Sequence, residues 1–161
     1  MNRVVQPSKP TPQDWPRISS SVFYEDAAAA IDWLCQAFGF EVRLKIEGAG
    51  GRIEHSELDY GEGMIMVGSA DKGSEGPRPL PTKSPKILEG FNTQMLCVVV
   101  DDVDAHCEHA RTRGAVIAME PKTEDYGEDY WADRTYRAVD PEGHHWFFMQ
   151  RIRAKGEPVP A

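Results

Sequence analysis

The chain is short of cysteine. Its three, Cys35, Cys97 and Cys107, are too few and too scattered over 161 residues for a disulfide framework. A reducing cytoplasm is the expected compartment. Long apolar runs are also missing. The longest, such as Met95 to Val100, fall far short of the roughly 20 residues that cross a bilayer, so no membrane partner is expected. Residues 1–7, Met-Asn-Arg-Val-Val-Gln-Pro, hold no apolar segment of the kind a secretory signal carries. Basic residues are outnumbered: 18 Lys and Arg against 26 Asp and Glu leave a net charge of −8. An acidic surface repels phosphate backbones, which excludes nucleic acid as an expected partner. The same charge is compatible with a cationic ligand, although solubility alone accounts for it. There is no Gly-x-Ser-x-Gly elbow, no Gly-x-x-x-x-Gly-Lys phosphate loop and no Gly-x-Gly-x-x-Gly fingerprint.

With 40% hydrophobic residues the chain has enough apolar mass for one domain or two fused half-domains. Pro7, Pro10, Pro12 and Pro16 make residues 1–16 a flexible arm, whose end Trp15 pins to the domain or to a partner subunit. Gly73, Gly76, Pro77, Pro79, Pro81 and Pro85 make 71–90 a linker. The domain is expected over 17–151, with one module at 17–70 and a second at 91–151, and 152–161 as a disordered tail.

The two modules share an order of elements. Ile18–Tyr24 reads as a strand. Asp26 then caps a helix of good formers, Ala27 to Leu34, which Gly39 ends. Met95–Val100 is again a β-branched strand, Asp101 or Asp102 caps a helix through Cys107 and Ala110, and Gly114 stops it. Further strands are predicted at Glu41–Glu47, Arg52–Tyr60 and Met64–Gly68, and at Val116–Glu120, Arg134–Val139 and His145–Arg151. Gly61-Glu62-Gly63 and Asp140-Pro141-Glu142-Gly143 form the turns of the closing hairpins. Each module therefore reads β-α-β-β-β.

The run Phe23-Tyr24-Glu25-Asp26-Ala27 to Leu34, with Ala37-Phe38-Gly39-Phe40, resembles the opening module of the vicinal oxygen chelate superfamily, which holds glyoxalases, bleomycin-resistance proteins and extradiol dioxygenases. Trp131 to Trp146, with its Asp-Pro-Glu-Gly turn, resembles the closing hairpin of one subgroup. The resemblance spans roughly residues 17–151. It implies an α+β fold in which two βαβββ modules form a cupped, mostly antiparallel eight-stranded sheet with helices on its convex side, and it implies a homodimer. It does not imply one reaction.

Metal-dependent members carry His or Glu at four strand positions of the concave face. Carried over by counting from the helix caps and turns, these positions fall on Ser19, Met66, Met95 and Phe147. A hydroxyl, two thioethers and a phenyl ring do not make a divalent-metal site, so no cofactor is expected. His106 and His109, at i, i+3 on the second helix, sit among charges on an expected solvated face. His144 and His145 are adjacent and point to opposite faces. Alternation adds Ser21, Phe23, Met64, Cys97, Val99 and Met149 to the concave side and puts Val22, Ile65, Val67, Leu96, Val98, Val100, Trp146 and Phe148 beneath the helices. Methionines on such a surface let a pocket adapt to varied apolar ligands, or they fill a core. The segment Glu124 to Arg134, rich in acids and with Tyr126, Tyr130 and Trp131, reads as a lid; otherwise Trp131 packs on the sheet edge and Asp133 pairs with Arg134.

The expected ligand-binding cleft is thus Ser19, Ser21, Phe23, His55, Met64, Met66, Met95, Cys97, Trp131, Phe147 and Met149. The leading expectation is a metal-independent binder of a small apolar or aromatic molecule, an antibiotic or metabolite, with no assigned catalytic residue. Cys97 lies on a neutral apolar strand that would not activate its thiol. The alternatives are a lyase, isomerase or dioxygenase holding a divalent metal at His55 with Glu54 or Glu57, and an accessory domain with no ligand.

Overall fold

The computed structural model describes residues 7–71 and 80–158. Of the linker expected at 71–90, residues 72–79 lie outside the described residues, as do the outermost ends, 1–6 and 159–161. The order is β1 (Ser20–Tyr24), α1 (Ala27–Phe38), β2 (Glu41–Glu47), β3 (Ile53–Tyr60) and β4 (Gly63–Ser69). It then repeats as β5 (Leu96–Val99), α2 (Val103–Thr112), β6 (Val116–Asp125), β7 (Ala132–Val139) and β8 (His145–Arg153). The α+β architecture of two βαβββ modules is as the sequence implied. Among the described residues the eight strands divide into two four-stranded mixed sheets, ordered β1-β4-β3-β2 and β5-β8-β7-β6. In each, the first strand runs parallel to the last, and the other pairs are antiparallel. Among the described residues no helix is long and apolar enough to cross a membrane.

Local chemistry accounts for the helix ends. The Asp26 carboxylate accepts from the Ala29 N–H at 3.1 Å, and Asp102 does the same for Ala105 at 3.0 Å. Gly39 leaves α1 with φ of 80°, a left-handed conformation that suits glycine. Strand β6 runs on past the predicted Glu120 to Asp125 and takes in Pro121. It can do so because it is an edge strand whose register shifts between Met119 and Lys122.

One core serves both modules. Leu34, Ala37 and Phe38 of α1 and Val103, Cys107 and Ala110 of α2 pack with Val22, Tyr24, Ile65, Val67, Tyr136, Trp146 and Phe148 from the sheets. The residues assigned beneath the helices by alternation are there. Hydrogen bonds also tie the helices together. His106 places Nε2 3.1 Å from the Phe38 carbonyl and Nδ1 2.7 Å from the Tyr136 hydroxyl. A carbonyl only accepts, so Nε2 carries the proton and Nδ1 accepts from Tyr136. Burial holds the imidazole below its ordinary value, in the neutral form this geometry needs. His109 meets the Gln36 carbonyl at 2.7 Å, and the Trp33 indole donates to the Arg113 carbonyl at 2.9 Å. The expected solvated face at His106 is corrected: that residue is half-buried and joins the modules.

The Asp-Pro-Glu-Gly turn is a second junction. Asp140 is 4% exposed. Its Oδ2 accepts from Tyr24 Oη at 2.7 Å and from the Trp146 indole at 3.1 Å, and its Oδ1 accepts from the backbone N–H groups of Glu142 and His144, each at 3.0 Å. The Glu142 carboxylate accepts from the N–H groups of Glu25 and Asp26, at 2.7 and 2.9 Å, and from Ser84 Oγ at 2.6 Å. The last turn of the second module thereby fastens the entry to α1 in the first.

Candidate ligand-binding site

Each sheet has one face under the helices and one face turned away from them. Register decides what the open faces carry. In the first sheet Ser21 lies beside Met66, and Met66 beside Glu57. Phe23 lies beside Gly68. In the second sheet the matching row is Cys97, Phe147 and Arg137, followed by Val99, Met149 and Thr135. Ser19 and Met95 stand just before β1 and β5. The residues that stand in register with Met66 and Phe147 are their same-face neighbours Ser21 and Cys97.

The first open face holds a charged chain. Glu57 is 7% exposed. One carboxylate oxygen lies 3.0 Å from His55 Nε2, and the other lies 3.3 Å from Arg43 Nε. The Arg43 guanidinium also bonds the Asp14 carbonyl and sits 5.8 Å from the centre of the Trp15 ring. Asp14 and Trp15 of the proline-rich arm thus meet Arg43 of β2. His55 and Glu57 do meet, as the metal-dependent alternative requires, but Arg43 already occupies the carboxylate. Glu54 is engaged elsewhere, 3.6 Å from Arg52. Among the described residues no group of three or more His, Cys, Asp or Glu side chains is arranged to hold a metal ion.

On the second face the Phe147 ring lies 5.6 Å beneath the Arg137 guanidinium, and the Trp131 ring 5.2 Å from that of Arg151. Burial, with the Asp133 charge, pushes the Cys97 thiol up, so it carries no activated nucleophile. The segment read as a lid is the tip of the β6–β7 hairpin. Arg153, fully buried, ties it down by donating to Asp125 at 2.6 Å, the Gly127 carbonyl at 3.0 Å and the Tyr130 carbonyl at 3.4 Å. The Asp133–Arg134 pair is not formed. Neighbours on a strand point to opposite faces, so Asp133 meets Arg151 across the ladder and Arg134 meets Asp104 of α2 at 2.6 Å.

Two cavities take parts of the expected cleft. One of about 560 Å³, at the seam of β1 and β5, brings Ser19, Met64 and Cys97 together with Gln94 and Val99. One of about 300 Å³ brings Ser21 and Phe23 to His144 and His145. Neither reaches Met66, Phe147, Met149 or Trp131, which lie on the open faces. Sequence reasoning left out Arg43, Thr135 and Arg137. Alternation along β3 and β7 would have placed Glu57 and Arg137 on the open faces, once Leu58 and Tyr136 were assigned to the core.

The model of the Glyoxalase/Bleomycin resistance protein/Dioxygenase superfamily matches residues 17–148. The chain belongs to this superfamily. Curated relatives are uncharacterised proteins of Mycobacterium bovis and Mycobacterium tuberculosis. Both are 29% identical over 140 residues, which is 86% of this chain and 85% and 76% of theirs. Among solved structures, TioX from Micromonospora sp. ML1 is 28% identical, with a TM-score of 0.64 over 86% of this chain and 100% of that one. A superfamily enzyme from Burkholderia phytofirmans PsJN shares the fold, with a TM-score of 0.58 at 19% identity over 83% of this chain and 97% of that one.

Proposed function

We infer that this superfamily member is a metal-independent binder of a small apolar or aromatic molecule, an antibiotic or metabolite, held on the open sheet faces. One observation carries the reading. Beside Glu57 and Arg137, the central rows present a hydroxyl, a thioether, a thiol and a phenyl ring, flanked by Phe23, Val99 and Met149. That is an apolar, polarisable surface with few polar groups, the usual make-up of a small-molecule site. Sequestration needs affinity and no chemistry. The three free cysteines accord with a cytoplasmic setting.

The neutral fluorophore phenylnaphthylamine is the probe. It is expected to bind saturably, and Phe147→Ala is expected to weaken it about tenfold, the loss of one aromatic contact wall. Absence of saturable binding to the intact protein would overturn the reading.

The second reading, a metal-dependent lyase, isomerase or dioxygenase, draws its support from the His55–Glu57 contact. The Arg43 guanidinium competes for that carboxylate and argues against it.

The site is further inferred to lie in a homodimer. Val42, Leu44 and Ile46 are exposed along β2, an edge strand, and unpartnered edges of this kind invite pairing. Sedimentation equilibrium is expected to give twice the 18.0 kDa of one chain, and Leu44→Glu is expected to shift the mass toward one. A wild-type monomer at micromolar concentration would refute the dimer.

A further inference from the structure

On the open faces cations come ready paired. Arg43 meets Glu57, Arg151 meets Asp133 and Arg153 meets Asp125. Arg137 differs. It is exposed, and among the described residues its side chain meets a ring, that of Phe147 at 5.6 Å. Its row neighbours are Phe147 on β8, Cys97 beyond it and Met119 on β6. An unneutralised guanidinium therefore stands among apolar side chains, in the central row of the second sheet, in a protein of net charge −8.

Contact with a ring centre 5.6 Å away leaves the guanidinium's N–H edge without an acceptor. That edge is a rigid fork of donors that matches two oxygens of one acid group. A ligand lying on Phe147 and Met149 would displace water from around this charge, and a charge-assisted bond strengthens as water leaves. We propose that Arg137 is the anion-recognising residue of the site, and that the ligand is an apolar or aromatic acid whose oxyanion group docks on its N–H edge. The proposal rests on the binding reading above and deepens it. The acidic overall charge points the other way, toward a cation. The local arrangement outweighs it, because a binding face is read by the charges it desolvates and distant exposed charges are screened beyond about 10 Å.

Two probes with one aromatic body separate the cases: anilinonaphthalene sulfonate, which is anionic, and phenylnaphthylamine, which is neutral. The intact protein is expected to bind the sulfonate about tenfold more tightly, with an advantage that shrinks as salt is raised. Arg137→Met is expected to abolish that advantage and leave the neutral probe within about twofold. Arg137→Lys, which keeps charge without the fork, is expected to fall between. Arg113→Met, on the outer end of α2, is the control and is expected to change neither affinity. Equal binding of the two probes, or a preference that survives Arg137→Met, overturns the anion assignment and leaves the binder reading standing. If neither probe binds the intact protein, the binder reading itself is overturned.

Discussion

Asp140→Ala is expected to lower the stability of the protein by about 3–5 kcal/mol, the loss seen when one member of a buried charged network is removed. Besides the His144 ring, whose Nδ1 lies 3.2 Å away, the carboxylate serves four donors, the Tyr24 hydroxyl, the Trp146 indole and two backbone N–H groups. Alanine leaves all four without an acceptor in a place that water reaches poorly, and each such donor costs about 1–3 kcal/mol before relaxation. For a chain of this size the change corresponds to a fall in Tm of roughly 10 °C or more. Asp140→Asn keeps one oxygen for the backbone pair and is expected to lose less. Thermal unfolding followed by circular dichroism reads both, and a shift under about 2 °C for the alanine variant would refute the assigned role.

The same residue gives the stability curve an acid limb. Burial alone would raise the Asp140 carboxyl, but the His144 hydrogen bond and charge, with the bonds from Tyr24 and Trp146, outweigh it and hold the group below its ordinary 3.8. A depressed native value means that the unfolded chain takes up the proton first. This contribution is therefore fully present above about pH 4 and is lost as pH falls through the lowered native value. In Asp140→Ala that part of the limb is expected to flatten.

Phe38→Ala is the other large expected effect. Phe38 closes α1 and is fully buried. Its ring meets Trp33 of its own helix at 4.8 Å, and Phe148 and Trp146 of β8 at 4.8 and 5.2 Å. A side chain from the first module thus sits in the aromatic core of the second. Removing it costs the transferred apolar area and leaves a void that relaxes only in part, about 3–5 kcal/mol. Urea denaturation is expected to show that loss, with Phe38→Leu recovering much of it. A loss below about 1 kcal/mol would mean that the two modules do not share a core.

Much of the fold was legible because its signals are local. Asp26 and Gly39 bracket α1, the span Glu41–Glu47 is β2 as predicted, and strand alternation sorted Val22, Ile65, Trp146 and Phe148 beneath the helices. What stayed hidden depends on partners far along the chain. Asp140 was legible as a turn residue, but not as the acceptor for Tyr24, 116 positions away. His106 read as a surface histidine because its partners, Phe38 and Tyr136, come from other elements. Nothing near the hairpin tip in the sequence announces that it holds the buried Arg153.

The candidate site was legible to a similar depth. Its apolar members follow from alternation along β1, β4, β5 and β8. The polar members, Glu57 with Arg43 and Arg137 over Phe147, lie on β3, β2 and β7. Alternation gives their face, but which neighbour each one meets depends on ladder register, which a single strand does not reveal.

The central claim is that an organic molecule binds these faces without a metal. The decisive measurement is a phenylnaphthylamine titration of protein stripped with chelator, beside the same protein untreated. Equal affinity in both is the predicted result. Binding that disappears on stripping, returns with a divalent ion and fails in His55→Ala would contradict it.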